Sequence, residues 1–513
     1  MSLDVPTMAE LRATALLYQL ELSDADLESF QATMGQALKS YERLDELARS
    51  TPLCAPTRDG GRPPDPRENR LNGWVWRCSV KETDTGVLAG KRVAIKDNVC
   101  MAGLPMRNGC SLLEGYVPDF DATIVKRILA SGGEIVGKAS CEYLSFSGSS
   151  FTADSGPVLN PHDPSRTSGG SSSGSAALVA VNECDCAVGG DQGGSIRIPT
   201  SFCGVYGLKP TYGLVPYTGV FPIEMTLDHV GPIGASVDDV ARLLEAIAGP
   251  DAMDPRQHRS IAEPIRYSYG LDEPLTGLKI GIVAEGFGWE GVSEPDVDEA
   301  VEESAWHFDR LGARVCRTSV PMHRDAIHIW QGIMTEGAFD TMIRGHAAGT
   351  NWKGFYPVSL MDAFASGRAG RADRLSDPVK FTVLLGQHLQ SRWHGRYYAI
   401  AQNLSPLLIK AYDDALAEVD VLVMPTSPMK ATLLPVGRES PASVIARVTE
   451  MGPNVYATDV TGHPSISIPC AMSNGLPVGM MLVGRQGADA TLLRAARAYE
   501  ESGRYKGNPQ RDI

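Results

Sequence analysis

The sequence predicts an α/β fold: a central mixed, twisted sheet with helices on both faces, preceded by an N-terminal helical domain. Two observations support this prediction. Strand and helix patterns alternate after residue 71, where 92–95 reads as a strand, 121–130 as a helix and 134–136 as a strand. Before that point, apolar residues recur at three- and four-residue spacing, which is typical of amphipathic helices.

Residues 1–49 are predicted to form a helical extension. Ser23 to Asp26 reads as a capping box at the start of a long helix. One apolar stripe follows on this helix, formed by Leu27, Phe30, Met34, Leu38, Tyr41, Leu44 and Leu47. Such a stripe must be buried, either on the main body of the chain or on a second subunit.

The remaining chain divides into a linker and one large domain. Residues 50–70 are rich in Pro, Gly and charge, which is typical of a linker on the surface. Residues 71–513 form the large domain, and a helix-rich insertion at about 321–412 is expected to cover its site. Later strands are predicted at 419–424, 465–468 and 479–483, and a closing helix at 488–502.

The composition is that of an ordinary globular protein of 513 residues. Its 47 Lys and Arg against 61 Asp and Glu give a net charge of −14, and no basic stripe is visible. Nucleic acid is therefore not an expected partner. No segment approaches the ~20 apolar residues that span a bilayer, and the N-terminus lacks a signal-peptide pattern. We expect no membrane partner and a cytoplasmic location.

The ten cysteines are scattered along the chain and form no disulfide framework, which fits a reducing compartment. Cys184 and Cys186 are the one close pair. Their spacing within an apolar strand favours core packing over zinc binding. We therefore expect no metal ion.

Two Gly/Ser turns stand out in the sequence. The first reads Thr-Ser-Gly-Gly-Ser-Ser-Ser-Gly and the second Gly-Gly-Asp-Gln-Gly-Gly-Ser, with a helix predicted at 176–181 and a strand at 184–188 between them. This path out and back can bring Ser171 opposite Ser195, beside amides that glycine leaves accessible. Hydroxyls beside free amides suit acyl transfer. A flexible linker or a phosphate nest is the alternative, but an apolar run follows and no Walker lysine is present.

A third motif, Gly-Lys-Arg-Val-Ala-Ile-Lys-Asp-Asn, lies upstream at residues 90–98. The three motifs, in this order, resemble the amidase signature family of serine amidohydrolases over most of residues 71–485. The resemblance implies the amidase signature fold, with Ser195 as nucleophile, Ser171 as relay and Lys96 as base. It also implies a cis peptide bond before the relay serine, at Gly170. No cofactor is expected.

The proposed residues have a physical rationale. The amides from Gln192 through Gly193 and Gly194 to Ser195 can point at one carbonyl oxygen and form an oxyanion hole. Lys96 acts as a base only when neutral, so burial must lower its pKa by about three units.

Three neighbouring charged residues are expected to play supporting roles. The charge of Asp97 should lie on the other face of the strand from Lys96, because successive side chains alternate. Asp191 and Arg197 are expected to hold the turns by pairing rather than to touch substrate.

One departure from the family pattern opens an alternative. Where the family usually has a second glycine pair, this chain has Ser173 followed by Gly174, which creates the nucleophile-elbow pattern Gly-Ser-Ser-Ser-Gly around Ser172. An α/β-hydrolase triad would then need a later histidine, for which His463 is the candidate. Because no short apolar strand precedes Ser172, we interpret His463, and likewise His229, as structural turn residues.

A formal dinucleotide fingerprint occurs at residues 286–291, after a predicted strand at 278–283. The helix after it begins with the acidic Glu294-Pro295-Asp296, where a pyrophosphate would have to bind. The next predicted strand, at 313–320, has no acid for a ribose. Nucleotide binding is therefore not expected.

Within the family, the glutamine of the second turn and the helical extension most resemble bacterial amidases that act on nitrile-derived amides. This likeness implies that the substrates are neutral aliphatic or aromatic primary amides, which are hydrolysed to the acid and ammonia. It also implies a homodimer that the helical extension helps to form. Phe146, by the same resemblance, and Trp330 are predicted pocket walls.

Two alternatives stay open. The same machinery could cleave carbamates, anilides, hydrazides or esters, because only the pocket shape decides. The chain could also be the amidase component of a tRNA-dependent amidotransferase, although its acidic balance and helical extension argue against this.

Overall fold

The computed structural model describes residues 3–50, 58, 60–257 and 265–507. The chain divides into two compact units, Met1–Ala55 and Pro56–Ile513. Of the predicted linker at 50–70, residues 51–57 and 59 lie outside the described part, as do residues 258–264 and 508–513 of the predicted large domain. Arg58, within that linker, is 7% exposed in its side chain and pairs with Asp121 at 2.5 Å.

The N-terminal unit contains helices α1 (Met8–Leu17) and α2 (Asp24–Ser50). The predicted capping box of α2 is present, because the Ser23 amide donates to Asp26 and the Asp26 amide donates to the Ser23 hydroxyl. On the apolar stripe of α2, Leu27 is buried. Tyr41 and Leu44, by contrast, are 58% and 59% exposed.

Within the described residues, the second unit has one sheet of eleven strands in the order β1-β3-β2-β4-β6-β5-β10-β11-β9-β7-β8. The strands are β1 (Trp74–Val80), β2 (Arg92–Lys96), β3 (Glu134–Ala139), β4 (Cys186–Asp191), β5 (Tyr206–Lys209), β6 (His229–Gly234), β7 (Lys279–Val283), β8 (Arg314–Thr318), β9 (Val421–Pro425), β10 (Ser465–Ser473) and β11 (Leu476–Gly484). The sheet contains both parallel pairs (β2 with β3 and β4, β7 with β8 and β9) and antiparallel pairs, such as β4 with β6 and β10 with β11, so it is mixed as predicted.

Helices flank this sheet and follow its strands along the chain. They are α3 (Thr123–Ala130), α4 (Ser173–Ala180), α5 (Arg197–Cys203), α6 (Val237–Ile247), α7 (Pro295–His307), α8 (Ala326–Ala338), α9 (Val358–Arg371), α10 (Asp377–Trp393), α11 (Arg396–Glu418), α12 (Pro441–Thr449), α13 (Tyr456–Thr461) and α14 (Asp489–Glu501). The stretch predicted as a helical insertion, 321–412, contains α8 to α10 and most of α11. No helix in the described ranges is both long and apolar enough to cross a membrane.

The inner strands are buried on both faces, as parallel strands covered by helices usually are. On β2, Val93, Ala94, Ile95 and Lys96 are all inaccessible to solvent, and the six residues of β4 are buried. A lysine at the end of β2 is therefore enclosed by the same apolar layers that stabilise the sheet.

Three strands, β1, β5 and β6, have no counterpart among the predicted elements. His229, interpreted from the sequence as a turn residue, is the first residue of β6 and pairs with Asp191 of β4. The Gly-Pro-Ile-Gly run of β6 conceals the strand pattern, because glycine and proline are ordinarily depleted from strand interiors. His463 lies between α13 and β10, outside both elements.

Candidate active site

The candidate site forms where two parallel strands end at the same edge of the sheet. Strand β2 ends at Lys96, and β4 ends at Asp191; Ile95 is paired with Val188 in the parallel register between them. Residues after parallel strands meet at one edge, which is the usual position of ligand sites in such sheets. The chain connectivity therefore brings Lys96 beside the second Gly/Ser turn.

Lys96 is fully buried and hydrogen-bonded. Its Nζ donates to Ser171 Oγ at 2.8 Å and to the Gly190 carbonyl oxygen at 3.4 Å. Burial lowers the pKa of Lys96 to about 8, although the nearby acidic groups, among them Asp191 and Glu142, oppose this shift. The neutral form of Lys96 is therefore a minor but accessible species near neutral pH.

Asp97, next in sequence, does not offset the lowering of the Lys96 pKa by burial. Its Oδ1 lies 2.9 Å from the ammonium of Lys138 on β3, and its Oδ2 accepts hydrogen bonds from the amides of Arg107 and Asn108. The alternation of side chains along a strand thus directs the carboxylate away from Lys96. A second buried lysine balances its charge.

Ser171 lies in a tightly packed loop. The peptide bond between Gly170 and Ser171 is cis. The Gly170 amide donates to the Gly148 carbonyl at 2.7 Å, and a Cβ at Gly170 would overlap the Ser149 carbonyl oxygen. Only glycine fits there, so the loop holds the Ser171 hydroxyl rigidly against Lys96.

Ser195 begins the turn that leads into α5. The Ser172 amide donates to the Ser195 carbonyl at 3.2 Å, which joins the two Gly/Ser turns. The side chain of Ser195 borders a cavity, and within the described residues its hydroxyl has no hydrogen-bond partner. This hydroxyl is therefore available to a bound molecule.

The amide of Gly194 differs from the sequence expectation. It donates to Asp191 Oδ1 at 2.6 Å, so it is already engaged and is not a free oxyanion donor. The amides of Gln192, Gly193 and Ser195 have no partner among the described residues. Asp191, three residues earlier, thus shapes the turn and leaves unpaired only the amides on either side of Gly194 among the described residues of this turn.

Arg197 is fully buried and holds Asp191. Its guanidinium donates to both carboxylate oxygens of Asp191, at 2.9 and 3.0 Å, and to Asp459 at 2.8 Å. Burial alone would raise the pKa of Asp191, but the charge and hydrogen bonds of Arg197 hold that pKa well below its usual range. Asp191 therefore stays ionised and keeps the turn in place.

A cavity of about 410 Å³ lies over Ser195. Both predicted wall residues, Phe146 and Trp330, line it. Trp330 Nε1 donates to the Gln192 carbonyl at 2.7 Å, and the Trp330 ring stacks on Tyr456 with centroids 4.1 Å apart. A Cβ on Gly193 would press against the Trp330 ring, so the turn and the tryptophan approach as closely as glycine permits.

Several lining residues had no sequence prediction. They come from helices that are distant along the chain: Met334 on α8, Phe381 on α10, Val448 on α12 and Tyr456 on α13. None of the described residues that line the cavity carries a charge. The cavity therefore suits a neutral and largely apolar group.

The alternative nucleophile Ser172 is placed differently. Its side chain is inaccessible, and its hydroxyl both donates to the Gly190 carbonyl and accepts from the Gly190 amide, each at 3.2 Å. His463 instead contacts Asp413 at 3.1 Å. Ser172 borders β4 rather than the cavity, so the geometry gives the elbow alternative no support.

The protein has a mixed sheet flanked by helices, with a serine-rich turn and a buried lysine where two parallel strands end. This fold and site place it among the α/β enzymes. The family model described as Amidase matches residues 77–493. The chain therefore belongs to the amidase signature family and is a hydrolase acting on amide bonds.

Similar proteins agree with this membership. The chain is 42% identical to an enantioselective amidase of Rhodococcus rhodochrous over 99% of its own length and 98% of the relative's. It is 37% identical to one of the subunits of the glutamyl-tRNA(Gln) amidotransferase of Methanosarcina mazei, over 83% and 87%. The native peptide amidase of Stenotrophomonas maltophilia has a similar structure, with a TM-score of 0.67, 28% identity and coverage of 83% and 85%.

Proposed function

We propose that this protein hydrolyses neutral primary amides of aliphatic or aromatic carboxylic acids to the acid and ammonia. The observation that carries the proposal is the hydrogen bond from buried Lys96 to Ser171 beside an uncharged cavity that holds the Ser195 hydroxyl. A base, a relay and a nucleophile are the groups that amide hydrolysis needs, because the amide is a poor electrophile with a poor leaving group.

The proposed cycle begins with neutral Lys96 accepting a proton from Ser171, which accepts the proton of Ser195. Ser195 Oγ then bonds to the amide carbon, and the carbonyl oxygen becomes an oxyanion. The C–N bond breaks as Ser171 returns a proton to nitrogen, ammonia leaves, and the acyl group stays on Ser195. Water attacks the acyl carbon by the same relay and releases the acid.

The oxyanion is assigned to the amides of Gln192, Gly193 and Ser195. They flank the nucleophile and have no other partner among the described residues. Each such donor is typically worth about 3 to 4 kcal/mol of transition-state stabilisation. The Asp191–Arg197 pair positions them by fixing the turn.

A neutral acyl group follows from the cavity lining. A zwitterionic amide such as glutamine would bring two charges that none of the described lining residues could pair, at a large desolvation cost. The name of the Rhodococcus relative adds a second expectation, discrimination between the enantiomers of a chiral amide. An asymmetric wall of Trp330, Tyr456 and Phe146 suits such discrimination.

The amidotransferase relatives supply the second candidate function, that of one component in a complex with partner proteins. The same cavity would also admit carbamates, anilides, hydrazides or esters of neutral acids. All of these are distinguished by supplying purified protein with single substrates, in the absence of glutamine, ATP and any other protein.

The test is product release from isobutyramide, benzamide, 2-phenylpropionamide and an aryl carbamate by wild type, Ser195→Ala and Ser172→Ala. We expect wild type to release ammonia from the amides, Ser195→Ala to lose activity and Ser172→Ala to keep most of it. Loss of activity only in Ser172→Ala would instead support the nucleophile-elbow alternative, in which Ser172 is the nucleophile. Hydrolysis of the carbamate alone would favour a carbamate hydrolase. No hydrolysis of any substrate by the purified protein would favour a component that works with partner proteins.

A further inference from the structure

A second apolar cleft adjoins the catalytic cavity on the other side of helix α8. Its volume is about 510 Å³, and its walls come from α8, α10 and α11. Among the described residues, three line both spaces: Gln331, Thr335 and Leu385. The two spaces therefore share one wall made of side chains.

The periodicity of α8 explains this arrangement. Ile327, Trp330 and Met334 line the catalytic cavity, whereas Ile329 and Gly332 line the second cleft. Gln331 and Thr335, one turn apart, lie between these two faces, and Gln331 Nε2 donates to Thr335 Oγ1 at 2.5 Å. They form a ridge about 6 Å long.

The two ridge residues differ in their exposure to solvent. Gln331 is exposed, so its flexible side chain meets solvent where the two spaces meet. Thr335, beneath it, is buried. A bound chain that leaves the catalytic cavity toward the second cleft would have to cross the ridge at the Gln331 side chain.

The lining of the second cleft indicates what it would hold. Tyr397, Ile400 and Leu404 on α11 are large and apolar, yet 42%, 39% and 37% exposed. Covering them would remove a contiguous apolar surface from water. An apolar occupant is therefore favoured.

The charged groups of the cleft disfavour an anion. Glu336 is buried in its wall, where its carboxylate accepts a hydrogen bond from the Tyr398 amide at 2.9 Å, and Asp325 lies at its exposed edge with His328. A carboxylate at the end of an acyl chain would be repelled by these acids, whereas a neutral end would not be repelled.

We propose that this cleft is a distal acyl subsite, which takes the end of a long neutral acyl group whose amide lies at Ser195. The inference rests on the proposed amidase function and adds its substrate class: amides whose acyl groups are longer than the catalytic cavity holds. The observation that carries it is that the two spaces adjoin, with Gln331, Thr335 and Leu385 lining both.

The test compares kcat/KM for 6-phenylhexanamide, whose long acyl group is expected to cross the ridge, with kcat/KM for benzamide, whose short acyl group is not. Ile400→Trp and Leu404→Trp fill the cleft from partly exposed positions. Leu384→Trp is the control, because Leu384 lies on α10, is 72% exposed and lines neither space. Thermal unfolding of each variant verifies that it is folded.

We expect the ratio of the two kcat/KM values to fall about tenfold or more in both cleft variants and to stay unchanged in Leu384→Trp. An unchanged ratio in the cleft variants, or hydrolysis of benzamide without hydrolysis of 6-phenylhexanamide by wild type, would refute the subsite alone. Failure of wild type on both amides would remove the proposed function and the subsite together.

Discussion

Lys96 Nζ lies 2.8 Å from Ser171 Oγ, and neither residue is accessible to solvent. An enclosed lysine gains little from being charged, because burial removes its hydration, and the nearest carboxylate in sequence is paired with Lys138 instead. The pair Lys96–Ser171 therefore has the geometry that the proposed proton transfer requires. The first prediction follows from this protonation balance.

The rate should rise with pH. Burial lowers the pKa of Lys96 to about 8, so below that pH most molecules carry the protonated amine, which cannot accept a proton. We expect kcat/KM for a neutral amide to increase about tenfold per pH unit on the acid side and to level off above about 8. Initial rates in buffers of constant ionic strength measure this. A profile that falls through the same range would contradict the role of Lys96 as a base.

Two buried lysines should respond differently to the same substitution. Lys96→Met removes the proposed base, and we expect kcat to fall by about 10²- to 10⁴-fold with thermal stability kept or raised. Lys138→Met leaves the Asp97 carboxylate buried and unpaired, which typically costs about 3–5 kcal/mol of unfolding free energy. Steady-state kinetics and denaturant unfolding on both variants separate the roles. Equal losses of stability would mean that Lys96 is merely structural.

Gly194 should not tolerate a side chain. Its φ is +98°, and a Cβ there would overlap Val455 Cγ2. We expect Gly194→Ala to displace the neighbouring amides that are proposed as oxyanion donors and to lower kcat by about 10²- to 10³-fold. Gly475→Ala is the matched control, since Gly475 also has a positive φ of +78° but open space around its Cβ position. Comparable activity losses in both would show that backbone strain, not turn geometry, is responsible.

The helical extension is proposed to support a homodimer, because large apolar side chains on α2 are more than half exposed in the single chain. We expect light scattering at micromolar concentration to give the mass of two chains. Tyr41→Glu combined with Leu44→Glu should shift that mass toward one chain, while Gln36→Glu, on an exposed polar position of the same helix, should not. A monomeric wild type would exclude the dimer.

The motifs that carry the family resemblance pointed to Lys96, Ser171 and Ser195, and the structure places Lys96 beside Ser171. Each lies in a short motif whose glycines, hydroxyls and apolar neighbours restrict the backbone within a few residues. The same locality explains why strands with continuous apolar runs, such as β2 and β9, were predicted to within one or two residues. Strand β6 was missed because its pattern contains glycine and proline, and its pairing with β4 and β5 overrides that composition.

The sequence by itself determined the fold class, the chemistry-bearing motifs and their order, since these depend on neighbours along the chain. Only the tertiary structure decided that the Gly194 amide donates to Asp191 and that Ser172 faces β4. It also decided that Tyr456 and Met334 complete the cavity. The reason is physical. Side chains on separate helices meet only when the helices pack, and their contacts leave no spacing in the sequence from which a pocket could be read.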